Sequence, residues 1–290
     1  MLQHQGESAK GNPGFPAVEI AEHVVIPQVG LGVWQIDARQ VTEVVSAALE
    51  AGYRLIDTAQ GYDNETGVGR AIAHSPVPRE ALFITSKLRT RAMGFDGARR
   101  GVEASLEALG LDYLDLMLIH WPTLDRERYV GAWKGLIEAR EQGLVRSIGV
   151  SNFLEHHIEA VMEETGVVPA IDQVETHPYF QQNRPHAYLA ARGIAHQAYS
   201  PLGHGEVLAN EVIADIARNH GRTPAQVVLS WHRQRGSVVI PKSVHPDRLR
   251  ENLEAVDLTL SEADMGRIAG LDRGEDGRTG SDPDRFNDLY

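Results

Sequence analysis

LFITSKLRTRAMGFDGARRGVEASLEALGLDYLDLMLIH, residues 82–120, contains one complete unit of the fold. Residues 82–86 predict a strand. Residues 98–109 predict a helix, and Gly110 directly after it supplies a stop. Residues 113–119 predict a second strand, and its run LDLMLI is too continuously apolar for a strand with one wet face. Such a run fits a parallel strand buried on both sides by helices. Working towards the N-terminus, residues 66–74 predict a helix and 54–58 a strand. Val41, Val44, Val45, Ala48 and Leu49 recur at the spacing of one helix face, ended by Gly52. Residues 29–34 predict a strand, and the short runs 17–20 and 24–26, joined by Ala-Glu-His, predict a hairpin. Residues 1–16 are rich in Gly, Pro and polar side chains and read as a flexible tail.

Towards the C-terminus the alternation continues. Val130, Trp133, Leu136 and Ile137 mark a helix that stops near Gly143. Strands are predicted at 145–150, 170–174, 194–199 and 237–240, and helices near 154–164, 184–192, 211–220, 224–235 and 246–255. Eight strand-like segments, each followed by a helix, with no linker or break in composition, predict an α/β fold. The expected form is a single (β/α)8 TIM barrel over residues 17–290, with an N-terminal β-hairpin and a short C-terminal loop. A doubly wound open sheet needs a glycine-rich turn after its first strand. Gly30-Leu-Gly32 and Gly67-Val-Gly69 lack the third glycine and the strand-to-helix setting.

Composition removes several function classes. The net charge of −12 argues against a general binder of nucleic acid or membrane surfaces, both of which are anionic. The absence of cysteine excludes disulfides, thiolate zinc sites, iron–sulfur clusters and a cysteine nucleophile. No His pair at ligand spacing shares a strand or helix; His156 and His157 are adjacent and expected to point apart, so no metal is expected. The polar start does not read as a signal peptide, and no apolar run approaches the ~18 residues of a membrane span. These features lead to the expectation of a cytoplasmic monomer acting on a small molecule.

In a barrel of this kind the site lies at the C-terminal ends of the strands. Strand two ends Ile56-Asp57-Thr58-Ala59, with Tyr62 in the loop beyond. Strand three ends Thr85-Ser86-Lys87, and strand four Leu118-Ile119-His120-Trp121. Three adjacent strands therefore direct Asp57, Lys87 and His120 into one mouth, beneath Tyr62. A Lys ammonium beside a phenol favours the phenolate and is expected to lower its pKa. Asp57 is expected to hold Lys87 charged and oriented. A Tyr tuned in this way is a proton donor for an oxygen gaining negative charge, and a neutral His120 can hold the same oxygen. The set lacks a nucleophile or metal, which fits carbonyl reduction by a hydride from a cofactor.

These residues carry a family resemblance. Ala51-Gly-Tyr-Arg-Leu-Ile-Asp-Thr-Ala-Gln-Gly-Tyr-Asp-Asn-Glu65, then Leu111-Asp-Tyr-Leu-Asp-Leu-Met-Leu-Ile-His-Trp-Pro122, then Ile240-Pro-Lys-Ser243 with Arg248, Glu251 and Asn252, resemble three ordered signatures of the aldo-keto reductase superfamily. The acidic tail 276–284 and compact length look most like the bacterial 2,5-diketo-D-gluconate reductase group. The resemblance covers essentially the whole chain. It implies NADPH-dependent reduction of aldehydes or ketones, such as small dicarbonyls or keto-sugar acids, with Asp57, Tyr62, Lys87 and His120 as catalytic tetrad and Tyr62 as proton donor.

It also implies that Ser151, Asn152 and Gln173 hold the nicotinamide carboxamide and that Tyr199 stacks on the ring. Ser200, Leu202 and the Gly203-His-Gly205 loop are then expected along the pyrophosphate. Lys242, Ser243 and Arg248 would take the 2′-phosphate, with Glu251 and Asn252 completing that motif. The competing reading of Ser151-Asn152 is a cap for the next helix. Trp34, Tyr62 and Trp121 are the expected substrate wall. Arg89 stands where relatives often place an aromatic residue; it either faces the pocket and attracts carboxylates or turns into solvent. The segment after Leu271 is short and polar, with nothing resembling the long specificity loops of some relatives. Two other functions fit the residues less well: a barrel aldolase with Lys87 as a Schiff-base lysine, and a non-catalytic NADPH-sensing subunit.

Overall fold

The alternating patterns become alternating strands and helices in the computed structural model, which describes residues 15–288. Of the expected tail, residues 1–14 lie outside the described residues; Phe15 packs against the core. Strands β1 (Ala17–Ala21) and β2 (Val24–Pro27) pair antiparallel, with Val18 opposite Ile26. They are followed by β3 (Leu31–Gly32), α1 (Val41–Ala51), β4 (Leu55–Asp57), α2 (Glu65–His74), β5 (Phe83–Leu88), α3 (Phe95–Leu109), β6 (Leu114–Ile119) and α4 (Arg126–Glu141). The second half adds β7 (Val145–Ser151), α5 (Glu155–Thr165), β8 (Ile171–Glu175), α6 (Asn183–Ala191), β9 (Ala195–Tyr199), α7 (Glu211–His220), α8 (Pro224–Gln234), β10 (Val238–Val239), α9 (Pro246–Leu253) and α10 (Glu262–Ala269).

Strands β3 to β10 form one parallel sheet in chain order. Its two edges meet. Val29 bridges Val239, the Gly30 N–H donates to the Val239 carbonyl at 2.8 Å, and the Val239 N–H donates to the Gln28 carbonyl at 2.8 Å. The sheet is thereby closed into a (β/α)8 barrel. Close packing explains two glycines. A Cβ on Gly30 would lie 2.3 Å from Leu55 of the neighbouring β4, and one on Gly32 would lie 2.7 Å from the Ile240 carbonyl oxygen across the seam. Glycine here permits close approach rather than a phosphate turn.

Strand parity separates core from site. Leu55, Phe83, Leu116, Leu118, Ile171 and Val238 face the barrel axis, whereas Ile56, Ile84, Met117 and Ile119 pack beneath the helices. Further along the inward set, towards the C-terminal ends, stand Asp57, Lys87 (beyond Thr85) and His120. Ile20 and Ile26 of the hairpin join the axial cluster and plug the opposite end. Water is excluded from below, so the polar groups of the upper layer have only one another and the mouth as partners.

Strand β5 runs to Leu88, past the expected residue 86, so Lys87 lies within the strand. Helix α3 begins at Phe95, ahead of the expected residue 98, from Gly94 at φ 95°. Helix α10, capped by the Ser261 hydroxyl on the Asp264 N–H, has no counterpart in the sequence reading. It buries Ile268, and so short an apolar face leaves little periodicity to detect. Among the described residues, no helix is long and apolar enough to cross a membrane.

Candidate active site

The ends of β4, β5 and β6 bring Asp57, Lys87 and His120 together, with Tyr62 above them at the end of the short helical turn Gln60–Tyr62. Lys87 has no exposed side-chain surface. Its Nζ forms an ion pair with Asp57 and donates to the Thr58 carbonyl at 3.0 Å and to the Tyr62 hydroxyl at 3.1 Å. The second Asp57 oxygen accepts from Gln173 Nε2 at 2.8 Å, across the barrel. The Tyr62 and His120 rings meet edge to face with centroids 5.7 Å apart.

Burial opposes both members of the ion pair, pushing the Asp57 carboxyl up and the Lys87 ammonium down, while their mutual attraction pulls each back. Burial, and then the Asp57 charge, raise the Tyr62 hydroxyl well above its ordinary value. This reverses the expected lowering by Lys87: burial and the Asp57 charge both disfavour the phenolate, and the resting hydroxyl keeps its proton. Burial, and then Lys87, push His120 well down, so the imidazole is neutral.

A cavity of about 910 Å³ opens above these groups. Asp57, Tyr62, His120 and Trp121 line its floor, and Ser151, Asn152, Gln173 and Tyr199 line one wall. Ser200 and Leu202 continue the wall, and Lys242 and Arg248 lie along the same cavity. The wall residues are bonded to one another. Ser151 Oγ donates to the Gln173 carbonyl at 2.8 Å, Asn152 Nδ2 donates to the His120 carbonyl at 2.9 Å, and the Tyr199 hydroxyl donates to Asn152 Oδ1 at 2.9 Å. Neither Ser151 nor Asn152 caps the next helix, whose N-cap position is Leu154. Trp34 lines the mouth and is 46% exposed.

Other expected site residues stand off the cavity. Gly203 is buried, and its N–H closes a turn on the Ser200 carbonyl at 2.9 Å. Ser243 Oγ accepts from the His245 N–H at 3.1 Å, at the start of α9. Glu251 accepts from the Thr223 hydroxyl at 2.6 Å, tying α9 to α8, and Asn252 is buried. Their local pattern marks a loop-to-helix junction, but which of its side chains reach the mouth depends on how α9 packs.

Arg89 is a clear correction. Its guanidinium binds the Gln60 carbonyl and Asp63 and lines a separate groove of about 880 Å³ between α2 and α3. Leaving β5, the chain turns outward at Arg89, so the side chain faces neither the substrate mouth nor open solvent. His156 and His157 also differ from expectation. Their rings lie 3.9 Å apart, and both approach Asp284. The Leu154 N–H donates to His157 Nδ1 at 3.1 Å. In the neutral ring Nε2 then carries the hydrogen and does not offer a lone pair to a metal.

The C-terminal segment supplies what the sequence reading missed. Buried Glu175, at the end of β8, accepts from the Thr279 N–H at 2.8 Å, the Thr279 hydroxyl at 2.5 Å and the Gly280 N–H at 2.7 Å. His177 lies 3.1 Å from the same carboxylate. Residues 279–281 and Phe286 thereby form part of the cavity wall, with Phe286 stacked on Trp121 at 4.1 Å. Phe286 is the lone aromatic residue between Asp272 and Asp288, a signal visible in retrospect.

Burial alone would raise the Glu175 carboxyl, but these hydrogen bonds bring it down to about 2 from 4.5. A depressed carboxyl stabilises its partners fully above its unfolded value and loses that effect as pH falls through the folded value. Protection of the Thr279 and Gly280 amides against hydrogen exchange is therefore expected to persist at neutral pH and to fail between about 4.5 and 2. In Glu175→Gln the acid-dependent loss should vanish. An unchanged profile in that variant would show that the carboxylate does not hold the segment.

Comparison with known proteins agrees with this geometry. The profile of the Aldo/keto reductase family matches residues 28–273. The chain is 49% identical over 272 residues to an aldo-keto reductase of Mycolicibacterium smegmatis, covering 94% of this chain and 98% of the relative. It is 47% identical over 274 residues to the methylglyoxal reductase DkgA of Escherichia coli, covering 93% and 97%. The crystal structure of a Gox0644 mutant in complex with NADPH superposes with a TM-score of 0.90 at 43% identity, covering 94% of this chain and 99% of that one. A closed (β/α)8 barrel whose mouth gathers Asp57, Tyr62, Lys87 and His120, matched along nearly its full length by proteins of one kind, belongs to the aldo/keto reductase family.

Proposed function

We propose that the protein is an NADPH-dependent oxidoreductase that reduces aldehydes or ketones to alcohols, with Tyr62 as proton donor. One observation carries the reading: a protonated Tyr62 hydroxyl bonded to a buried, Asp57-paired Lys87 and facing a neutral His120 across a roomy mouth. NADPH, when bound, supplies the hydride. The cavity suits it in chemistry, with amide and hydroxyl groups of Ser151, Asn152 and Gln173 and the Tyr199 ring near the tetrad, and two cations, Lys242 and Arg248, for a phosphate monoester. In this reading Gly203, Ser243, Glu251 and Asn252 shape the loop and helix that present those cations.

As the carbonyl oxygen gains negative charge, the Tyr62 hydroxyl donates its proton to it, and His120 supplies a hydrogen bond to the same oxygen. The ammonium of Lys87 then faces a phenolate, and its charge lowers the cost of forming that anion in a dry site. Asp57 and the Thr58 carbonyl keep Lys87 aimed. Trp34, Trp121 and Phe286 make an aromatic entrance suited to small carbonyl compounds, methylglyoxal-like dicarbonyls among them. An aldolase role requires a free amine in contact with substrate. Lys87 Nζ is fully buried and committed to Asp57, Thr58 and Tyr62.

NADPH oxidation measured across diketones, aldehydes, quinones and keto-sugar acids tests the reading, and no turnover with any of them would overturn it. A preference for NADPH over NADH is expected to rest on Arg248 and Lys242. Arg248→Ala should weaken NADPH binding about ten- to a hundredfold, the value of one charge-assisted contact, and leave NADH nearly unchanged. Equal loss for both cofactors would place the arginine away from the 2′-phosphate.

A further inference from the structure

We infer that Arg89 is a positioning residue that braces the turn carrying Tyr62 and so acts on proton delivery, not on the choice of substrate. This inference rests on the reading of Tyr62 as proton donor. The end of β5 holds that turn from two sides. From inside, Lys87 Nζ donates to the Tyr62 hydroxyl at 3.1 Å. From outside, Arg89 Nε donates to the Gln60 carbonyl at 2.7 Å, and Nη2 binds the same oxygen and pairs with Asp63. The Arg89 main-chain N–H donates to Gln60 Oε1 at 2.9 Å. Gln60 and Asp63 flank Tyr62 along the chain, so one guanidinium fastens the turn at both ends.

The brace has a rigid foundation. Gln60 Nε2 donates to the Gly101 carbonyl at 2.6 Å and to Ser105 Oγ at 3.0 Å, anchoring the turn to α3. Gly101 is part of the fit, since a Cβ there would lie 2.5 Å from Leu88 and 3.4 Å from Gln60 Nε2. On the other flank Asp63 sits at φ 54°, in the left-handed region that few non-glycine residues adopt. The planar fork of arginine spans two acceptors at once, which a lysine ammonium on a flexible stem does not reproduce. The Arg89 side chain is only 19% exposed, which shelters its bonds to the Gln60 carbonyl, whereas the Asp63 carboxylate stands in solvent and its pair with Arg89 is open to screening.

Misplacing a reacting group by about 1 Å costs up to ~10²-fold in rate. Arg89→Met is therefore expected to lower the single-turnover rate about ten- to a hundredfold, equally for a neutral dicarbonyl and a keto acid. NADPH affinity should stay within about twofold, since the cofactor contacts lie elsewhere. Arg89→Lys should recover part of the rate. Asp63→Asn, a change at an exposed side chain whose left-handed φ suits Asn, should give a smaller loss with the same pattern. If Arg89→Met does not fold, a wild-type rate in Asp63→Asn together with a wild-type rate in Arg89→Lys overturns the brace. An unchanged rate in folded Arg89→Met also overturns it, as does a salt-sensitive loss confined to the keto acid, which would mean charge recognition of substrate. Tyr62→Phe is measured alongside. If that variant retains turnover, the reading of Tyr62 fails; if it is inactive while Arg89→Met keeps its rate, only the brace fails.

Discussion

Tyr62→Phe is expected to abolish carbonyl reduction while NADPH affinity stays within about twofold of wild type. The substitution removes one oxygen from a ring that remains packed near His120, so the shape of the mouth is kept. It removes the hydroxyl that burial keeps protonated at rest and that alone is bonded to Lys87 among the donors above the floor. Removing a general acid costs about 10²–10⁴-fold in rate. The groups proposed to hold the cofactor, from Ser151 to Arg248, come from other parts of the cavity wall and are untouched. Steady-state turnover and a fluorescence titration with NADPH check both halves. A variant turning over within about tenfold of wild type would remove Tyr62 from the chemistry.

Lys87→Met is expected to damage both activity and stability. Methionine fills a similar volume but leaves the Asp57 carboxylate buried without its cation. Breaking a buried pair from one side costs about 3–5 kcal/mol, or roughly 10 °C in Tm for a chain of this size. Asp57 escapes part of this cost by taking up a proton, because burial already pushes its carboxyl up. A raised carboxyl loses stability as pH rises through the folded value, so the variant's deficit should grow from acid to neutral pH. Turnover should fall about 10²-fold or more, since the forming phenolate loses its neighbouring charge. Adding Asp57→Leu should restore much of the lost Tm without restoring activity, because the unpaired charge is gone but the cation beside Tyr62 is not replaced. Thermal unfolding across pH with parallel kinetics checks this. A single variant with wild-type Tm would mean that Lys87 and Asp57 are not a buried pair, and one with wild-type turnover would mean that Lys87 does not assist Tyr62.

Much of this protein was legible in the linear chain because periodicity is local. The buried face of α1, from Val41 to Leu49, and the apolar run of β6 are written at the spacing that their secondary structure requires. Parallel strands joined through helices must all point the same way, so a reader who knows the strand ends knows which residues share the mouth. That is why the chain order alone brings Asp57, Lys87 and His120 to one mouth with Tyr62 beyond them, whereas Tyr199 and Trp121 enter through the family resemblance.

What the sequence could not determine depended on contacts between distant segments. The direction of the Tyr62 shift is set by burial together with the nearby Asp57 charge, which requires the packed environment. Counting from Lys87 leaves Arg89 either facing the pocket or turned into solvent, but the chain turns outward past Leu88, and its guanidinium finds Gln60 and Asp63 in a loop about thirty positions away. The C-terminal segment looked merely short and polar. Only tertiary structure brings the Thr279 and Gly280 amides onto Glu175 and lays Phe286 on Trp121, because those contacts join positions more than a hundred residues apart with no shared period. By itself the sequence determined the order of elements, the faces they bury and the residues at the strand ends, all consequences of local geometry. The tertiary structure decided which groups are desolvated, which are already bonded to one another and which segment covers the mouth, since burial and hydrogen bonding are properties of the assembled fold.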